Sequence, residues 1–123
     1  MILVLIFGFF TGIVISLVFQ LAHTVESTQF PKPDETTGKV QDEWAVHQLK
    51  TTANFATNNK IISWFTGGLN FQVEHHLFPN INSVYAPEVT NAIKNYASEN
   101  GFAYRSYTLF EALNYHYKLI SNK

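Results

Sequence analysis

The first 22 residues contain no charged side chain, and this feature restricts the chain more than any other. All eight basic and all nine acidic residues come later. The stretch ILVLIFGFFTGIVISLVFQLA has about the 20 consecutive apolar residues that a helix needs to cross a bilayer. Small residues recur every fourth position at Gly8, Gly12 and Ser16, which would let another helix approach closely. The sequence therefore predicts a transmembrane helix at residues 1–22.

Two other interpretations of this stretch are weaker. A secretory signal peptide would need a positively charged start, a shorter apolar core and a cleavage site with small residues, and the sequence shows none of these. A buried core helix is disfavoured because so long an apolar stretch has too few polar residues for a small soluble domain. All eight basic residues follow the span, which favours a cytoplasmic location for residues 23–123.

Composition excludes several functional classes. A chain of 123 residues is enough for one small domain. The sequence has no cysteine, so disulfides, thiolate zinc sites and cysteine nucleophiles are excluded. The net charge is −1 and no run of basic residues is present, so no nucleic-acid partner is expected.

The residues after the span predict a connecting loop and then a helix. HTVESTQFPKPDETTGKV, residues 23–40, is rich in proline, threonine, glycine and charge, as connecting loops are. A helix is expected from about Asp42 to Asn58, with Asp42 and Glu43 in its first turn. Gly67 and Gly68 then interrupt an apolar segment and would permit a close approach of two backbone segments.

The C-terminal part predicts two further helices. Pro87 opens the first and Gly101 stops it. FAYRSY, residues 102–107, is expected to be extended. Thr108 and Glu111 form a capping box for a last helix that reaches about Ile120. The predicted fold class is therefore all-α, an integral membrane protein with one transmembrane helix followed by a mostly helical tail.

A histidine pair in the middle of the chain suggests a metal site. On a helix, Gln72, His75 and His76 occupy positions i, i+3 and i+4, which are neighbours on one face. Two imidazoles and an amide oxygen would suit iron or zinc. Taken alone, an HH pair fits histidines that are merely exposed, or packed with their hydrogen bonds satisfied, somewhat better than metal ligands.

Three more histidines are weighed as ligands. His23 follows the apolar span directly, at the water boundary, where its imidazole would reach a metal or anchor the interface. His47 lies beside Gln48 on a predicted helix, and adjacent positions do not share a face. His116, within NYHYK, fits a surface role better than a ligand. Of these three, only His23 is predicted to bind a metal.

The number of ligands limits the kind of site. Two oxygen-activating metal ions need on the order of eight donors, whereas the whole chain has five histidines. Either a single metal binds here or the sequence is part of a longer protein.

The segment WFTGGLNFQVEHHLFP, residues 64–79, closely resembles the third histidine box of membrane fatty-acyl desaturases. Most of these enzymes have the pattern H-x-x-H-H. Members of the front-end branch, which includes Δ5, Δ6 and Δ8 enzymes, have glutamine first, as Gln72 is here. DEWAVHQLKTTANF and PNINSVYAPEV are also similar to the family, and the likeness covers roughly His23 to Gly101.

The resemblance implies a multi-pass protein of the endoplasmic reticulum or the bacterial inner membrane with two Fe ions on the cytoplasmic side. Molecular oxygen and electrons from cytochrome b5 or ferredoxin would place a cis double bond between an existing double bond and the carboxyl end of an acyl-CoA or acyl-lipid chain. His75 and His76 would be iron ligands, and Gln72 would occupy the first ligand position. His23 matches an additional histidine ligand of related enzymes, although their asparagine four residues earlier is Phe19 here.

The sequence departs from the family in two ways, and we therefore expect the chain to be a C-terminal desaturase fragment that is inactive alone. The first and second histidine boxes are absent, and so is a haem-binding cytochrome b5 domain. The alternative is a non-catalytic, single-pass membrane-anchored remnant. A mononuclear zinc or iron hydrolase ranks last, because no carboxylate base lies at a spacing like H-E-x-x-H. Glu74 would either orient a ligand or face solvent, and both interpretations stay open.

Overall fold

The computed structural model describes residues 1–122, which are mostly helical, as the sequence predicts. Two two-residue strands interrupt the helices, and a 3₁₀ turn lies at Ser83–Tyr85. In chain order the elements are α1 (Ile2–His23), α2 (Trp44–Thr51), β1 (Asn54–Phe55), α3 (Lys60–Phe65), α4 (Gln72–Leu77), α5 (Ala86–Glu99), β2 (Ser106–Tyr107) and α6 (Leu109–Ser121).

Helix α1 projects away from the rest of the chain. Its 22 residues give a length of about 33 Å, which covers a hydrocarbon core of about 30 Å. Apart from half-buried Thr11, residues 1–17 are exposed. Within residues 1–122 this is the one helix that is long and apolar enough to cross a membrane, with a mean hydropathy of 2.8.

The last turns of α1 are embedded in the first of two apolar clusters. Leu21 and Ala22 pack there with Phe55, Ala56 and Ala112. The backbone N–H of Ala53 also donates to the carbonyl of Ala22 at 2.9 Å. These contacts with β1 and α6 fix the position of the residue that follows, His23.

The helix expected from Asp42 to Asn58 is shorter, because α2 ends at Thr51. Thr52 is already extended, with φ −128° and ψ 146°, and β1 pairs in parallel with β2. Consecutive β-branched threonines favour this change, and the extended chain lets the Asn54 side chain accept a hydrogen bond from the Val73 N–H at 2.8 Å. The all-α prediction is therefore only partly correct, since the chain is mostly helical but contains two short strands. The prediction that residues 102–107 are extended is confirmed in part by β2.

The second apolar cluster joins α2, α4 and α5 through Leu49, Val73 and Ile93. The two C-terminal helices follow the prediction closely. Helix α5 has a proline in its first turn and ends just before Gly101, whose φ is +72°. The capping box of Thr108 and Glu111 is present at the start of α6.

The connection from α3 to α4 contains the close approach expected at the two glycines. Gly68 has φ +83°, and a Cβ added there would lie 2.7 Å from Cβ of Ser83. Gly67 also has a positive φ, +62°, but faces open space. The expectation is therefore confirmed for Gly68, which brings the start of α4 close to the 3₁₀ turn.

Candidate metal centre

Two histidines that are 53 residues apart in sequence meet between α1 and α4. Nε2 of His23, at the end of α1, lies 3.2 Å from Nε2 of His76. The ring planes are inclined at 73°, with centroids 4.8 Å apart. The structure thus brings together one histidine of the HH pair and the histidine that follows the apolar helix.

The second ring nitrogen of each histidine faces an acceptor on α2. Nδ1 of His23 lies 3.4 Å from the carbonyl oxygen of Thr51. Nδ1 of His76 lies 3.0 Å from Oε1 of Gln48. Metal-binding histidines usually donate their other ring N–H to an oxygen in this way, which orients the ring.

The separation and the electrostatics of the pair suit a metal ion. With metal–nitrogen bonds of about 2.0–2.1 Å, adjacent ligands on one ion lie about 2.9–3.4 Å apart; the observed separation is 3.2 Å. Burial lowers the pKa of His76, and the neighbouring His23 and His75 lower it further. A lowered pKa keeps the imidazole neutral, which is the form that binds metals.

The other two predicted ligands do not join this pair. His75 is exposed and lines a small pocket with Phe71, Phe78 and Ser83. It diverges from His76 because successive helical residues are about 100° apart around the axis. Gln72 is only 1% exposed.

Gln72 has no partner for its Nε2 among the described residues. Within residues 1–122, no group of three or more histidine, cysteine or acidic residues is arranged to hold a metal ion. The described chain therefore offers a pair of converging donors and two more candidates beside it.

Glu74 is buried, with 2% of its surface exposed, so the solvent-facing interpretation is wrong. Its Oε1 accepts hydrogen bonds from the hydroxyls of Thr90 at 2.8 Å and Tyr104 at 2.5 Å. Its Oε2 accepts from Nδ2 of Asn54 at 2.7 Å. Burial, and then the Glu74 charge, raise the pKa of Tyr104 far above its usual value of 10.0. The carboxylate thus fastens α4 to β1, to α5 and to Tyr104.

Within residues 1–122, neither His47 nor His116 is hydrogen-bonded to the pair. Nδ1 of His116 lies 2.6 Å from the carbonyl oxygen of Thr24. Nδ1 of His47 is buried and has no partner among residues 1–122.

Sequence reasoning missed the supporting residues Gln48, Thr51, Asn54 and Tyr104. Only Gln48 and Thr51 had a usable signal, because a spacing of three places them on one helix face.

Residues 1–108 match a model of the fatty acid desaturase family. The chain is 52% identical over 101 residues, 82% of its length, to an sn-1 linoleoyl-lipid 6-desaturase of Synechocystis sp..

The chain belongs to the fatty acid desaturase family.

Other desaturases are similar to this chain at lower identity than the Synechocystis relative. An sn-1 linoleoyl-lipid 6-desaturase of Arthrospira platensis is 44% identical over 83% of this chain. An acyl-lipid (8-3)-desaturase of Mortierella alpina is 42% identical over 69% of it. These relatives confirm the resemblance to the front-end branch. This desaturase-family chain spans 28% of the Synechocystis relative, 27% of the Arthrospira relative and 19% of the Mortierella relative. No solved structure matches the chain.

Proposed function

We propose that this chain supplies the third histidine box, together with His23, to the iron centre of a front-end acyl-lipid desaturase. The observation that carries the proposal is the approach of Nε2 of His23 to Nε2 of His76 at 3.2 Å in a chain of the desaturase family. The reaction would place a cis double bond between an existing double bond and the carboxyl end of an acyl chain.

The family implies iron and molecular oxygen, and the two imidazoles fit an iron ligand pair because their free nitrogens converge. We assign His23 and His76 to one iron and propose His75 and Gln72 as further ligands. When bound, the iron centre would supply the oxygen-dependent removal of hydrogen from the acyl chain. The chain's own residues hold the ligand rings and orient α4, since Gln48 and Thr51 face the rings and Glu74 fastens the helix.

The same proposal requires ligands from outside this chain. A dinuclear site needs on the order of eight donors, and the four proposed ligands fall short of that number. We therefore infer that the chain is inactive by itself and acts as the C-terminal part of a complete desaturase.

The proposed setting is a membrane, with residues 1–22 as a span and residues 23–123 on the cytoplasmic side. His23 would then lie at the water boundary, where the iron centre can face an acyl chain that lies in the bilayer. Two relatives are named sn-1 linoleoyl-lipid 6-desaturases, which favours an acyl lipid over an acyl-CoA as substrate. The proposed electron donor is cytochrome b5 or ferredoxin.

Fatty-acid profiling of a host that expresses the full-length gene tests this proposal. Cells given a polyunsaturated acyl substrate should form a product with one more double bond. His76→Ala and His23→Ala should reduce that product to background while the protein stays in the membrane. His116→Ala, a histidine bonded elsewhere, is the matched control and should keep the activity. Normal product from the His23 or His76 variant contradicts the ligand assignment, and no product from the wild type favours a non-catalytic membrane-anchored protein.

A further inference from the structure

The last turn of α2 contacts both histidines of the pair. We infer that Gln48 and the Thr51 carbonyl are positioning groups that hold His76 and His23 with the proton on Nδ1, so that both Nε2 lone pairs point to one place. This inference deepens the proposed function and rests on it for the identity of the metal.

Nδ1 of His23 faces an acceptor that cannot also donate. A backbone carbonyl accepts and cannot donate, so the Thr51 oxygen, 3.4 Å from Nδ1 of His23, requires a proton on that nitrogen. Thr51 is the last residue of α2, and the last four carbonyls of a helix lack partners within the helix. The free carbonyl is therefore available to His23, and a neutral His23 has a bare Nε2.

His76 receives the corresponding contact from a side chain. Oε1 of Gln48 lies 3.0 Å from Nδ1 of His76. The next residue, Leu49, is buried against Val73 of α4, so the packing of α2 on α4 presents Gln48 to the ring. Because the amide oxygen of Gln48 accepts, Nδ1 of His76 donates and carries the proton. Nε2 of His76 then has no proton, like Nε2 of His23.

Two bare nitrogens facing each other at 3.2 Å repel one another unless a cation lies between them. The competing arrangement is a direct hydrogen bond between the histidines, with a proton on one Nε2. For a neutral pair this arrangement requires one Nδ1 to become an acceptor. The Thr51 carbonyl cannot donate to Nδ1 of His23, so only Gln48, turning its NH₂ group to Nδ1 of His76, allows this arrangement. The orientation of the Gln48 amide thus decides between two states of the pair. In one state both Nε2 atoms are free to bind a metal, and in the other they share a hydrogen bond.

The test combines two measurements on the full chain in detergent micelles. Nitrogen-15 NMR of labelled histidine reports which ring nitrogen carries the proton, and titration with Zn²⁺ alone reports the affinity of the pair. Gln48→Leu removes the acceptor, whereas Gln48→Glu can only accept. Gln41→Leu, at an exposed glutamine before α2, is the matched control.

We expect the wild type, Gln48→Glu and Gln41→Leu to show Nδ1–H histidines and similar Zn²⁺ affinity. Gln48→Leu should weaken Zn²⁺ binding by about 10–100-fold, the usual cost of losing a partner behind a metal ligand, and His76 should lose its preference for Nδ1–H. The His23 signal should not change in any of these variants. Circular dichroism checks that the helices persist.

Two results would overturn the inference. The first is a Gln48→Leu variant with wild-type Zn²⁺ affinity and an unchanged His76 tautomer. The second is an equal loss in Gln48→Leu and Gln48→Glu, which indicates a packing role only. If the wild type binds no Zn²⁺, the ligand assignment under the proposed function fails, while the tautomers of the metal-free chain still test the role of Gln48 separately.

Discussion

The buried carboxylate of Glu74 accepts hydrogen bonds from three side chains, Asn54, Thr90 and Tyr104. Glu74→Leu would leave the Tyr104 hydroxyl without an acceptor in a site that is 2% exposed. It would also remove one of the two acceptors of Thr90 and of Asn54. We expect the free energy of unfolding to fall by about 2–4 kcal/mol. Urea unfolding in micelles, followed by circular dichroism, measures this. Glu99→Leu, at an exposed position, should change it by less than about 0.5 kcal/mol, and equal losses in the two variants would contradict the anchoring role.

Tyr104 should remain protonated where ordinary tyrosines ionise. Its pKa is raised by burial and by the Glu74 charge, so it contributes stability below about pH 10 that is lost as the pH rises further. The alkaline absorbance titration of the folded wild type should contain no contribution from Tyr104 near pH 10. Tyr104→Phe should leave that titration unchanged while the protein is folded. A smaller absorbance change in Tyr104→Phe would show that Tyr104 ionises normally.

The residues near the site differ in how far the sequence alone predicts them. His75 and His76 were identifiable because the glutamine and both histidines lie within five consecutive residues. The partners of Glu74 were not, because Thr90, Asn54 and Tyr104 are 16, 20 and 30 residues away in the sequence. Because the burial of Glu74 depends on such distant contacts, the sequence around Glu74 shows no pattern that predicts it.

At the level of elements, the connection between α3 and α4 depends on Gly68 more than on Gly67. Both have positive φ, but only Gly68 lies against Ser83. Alanine at Gly67 should cost about 1 kcal/mol for its left-handed backbone, and alanine at Gly68 clearly more, because its Cβ would collide with Ser83. Urea unfolding compares the two. Adding Ser83→Gly should recover part of the loss in Gly68→Ala and none in Gly67→Ala; equal costs at the two glycines would contradict the close approach.

The elements that the sequence predicted well are those defined by neighbouring residues. The start of α6 follows from Thr108 and Glu111, which bond reciprocally across three positions. The end of α2 was predicted seven residues too late because it depends on pairing between Asn54 and Ser106, which are far apart in sequence. Short strands that pair with distant residues are only weakly indicated by their amino-acid composition.

For the whole molecule, the proposed function requires α1 to connect the two sides of a membrane. The sequence contains no cysteine, so single cysteines can be introduced and labelled specifically. In sealed vesicles, Leu3→Cys and Glu99→Cys should react with a membrane-impermeant maleimide from opposite sides, with Glu99→Cys reacting from the cytoplasmic side. Reaction of both from the same side would contradict a spanning helix.

The proposed function depends on His23 and His76 forming a metal-binding pair. Anaerobic titration of the full chain in micelles with Fe²⁺ measures whether they do. We expect His23→Ala and His76→Ala each to weaken binding by more than about 100-fold, since losing a ligand costs more than losing its supporting partner. His116→Ala, whose ring is bonded to the Thr24 carbonyl, should bind as the wild type does. Unchanged Fe²⁺ affinity in His23→Ala would contradict the assignment of His23 as a ligand.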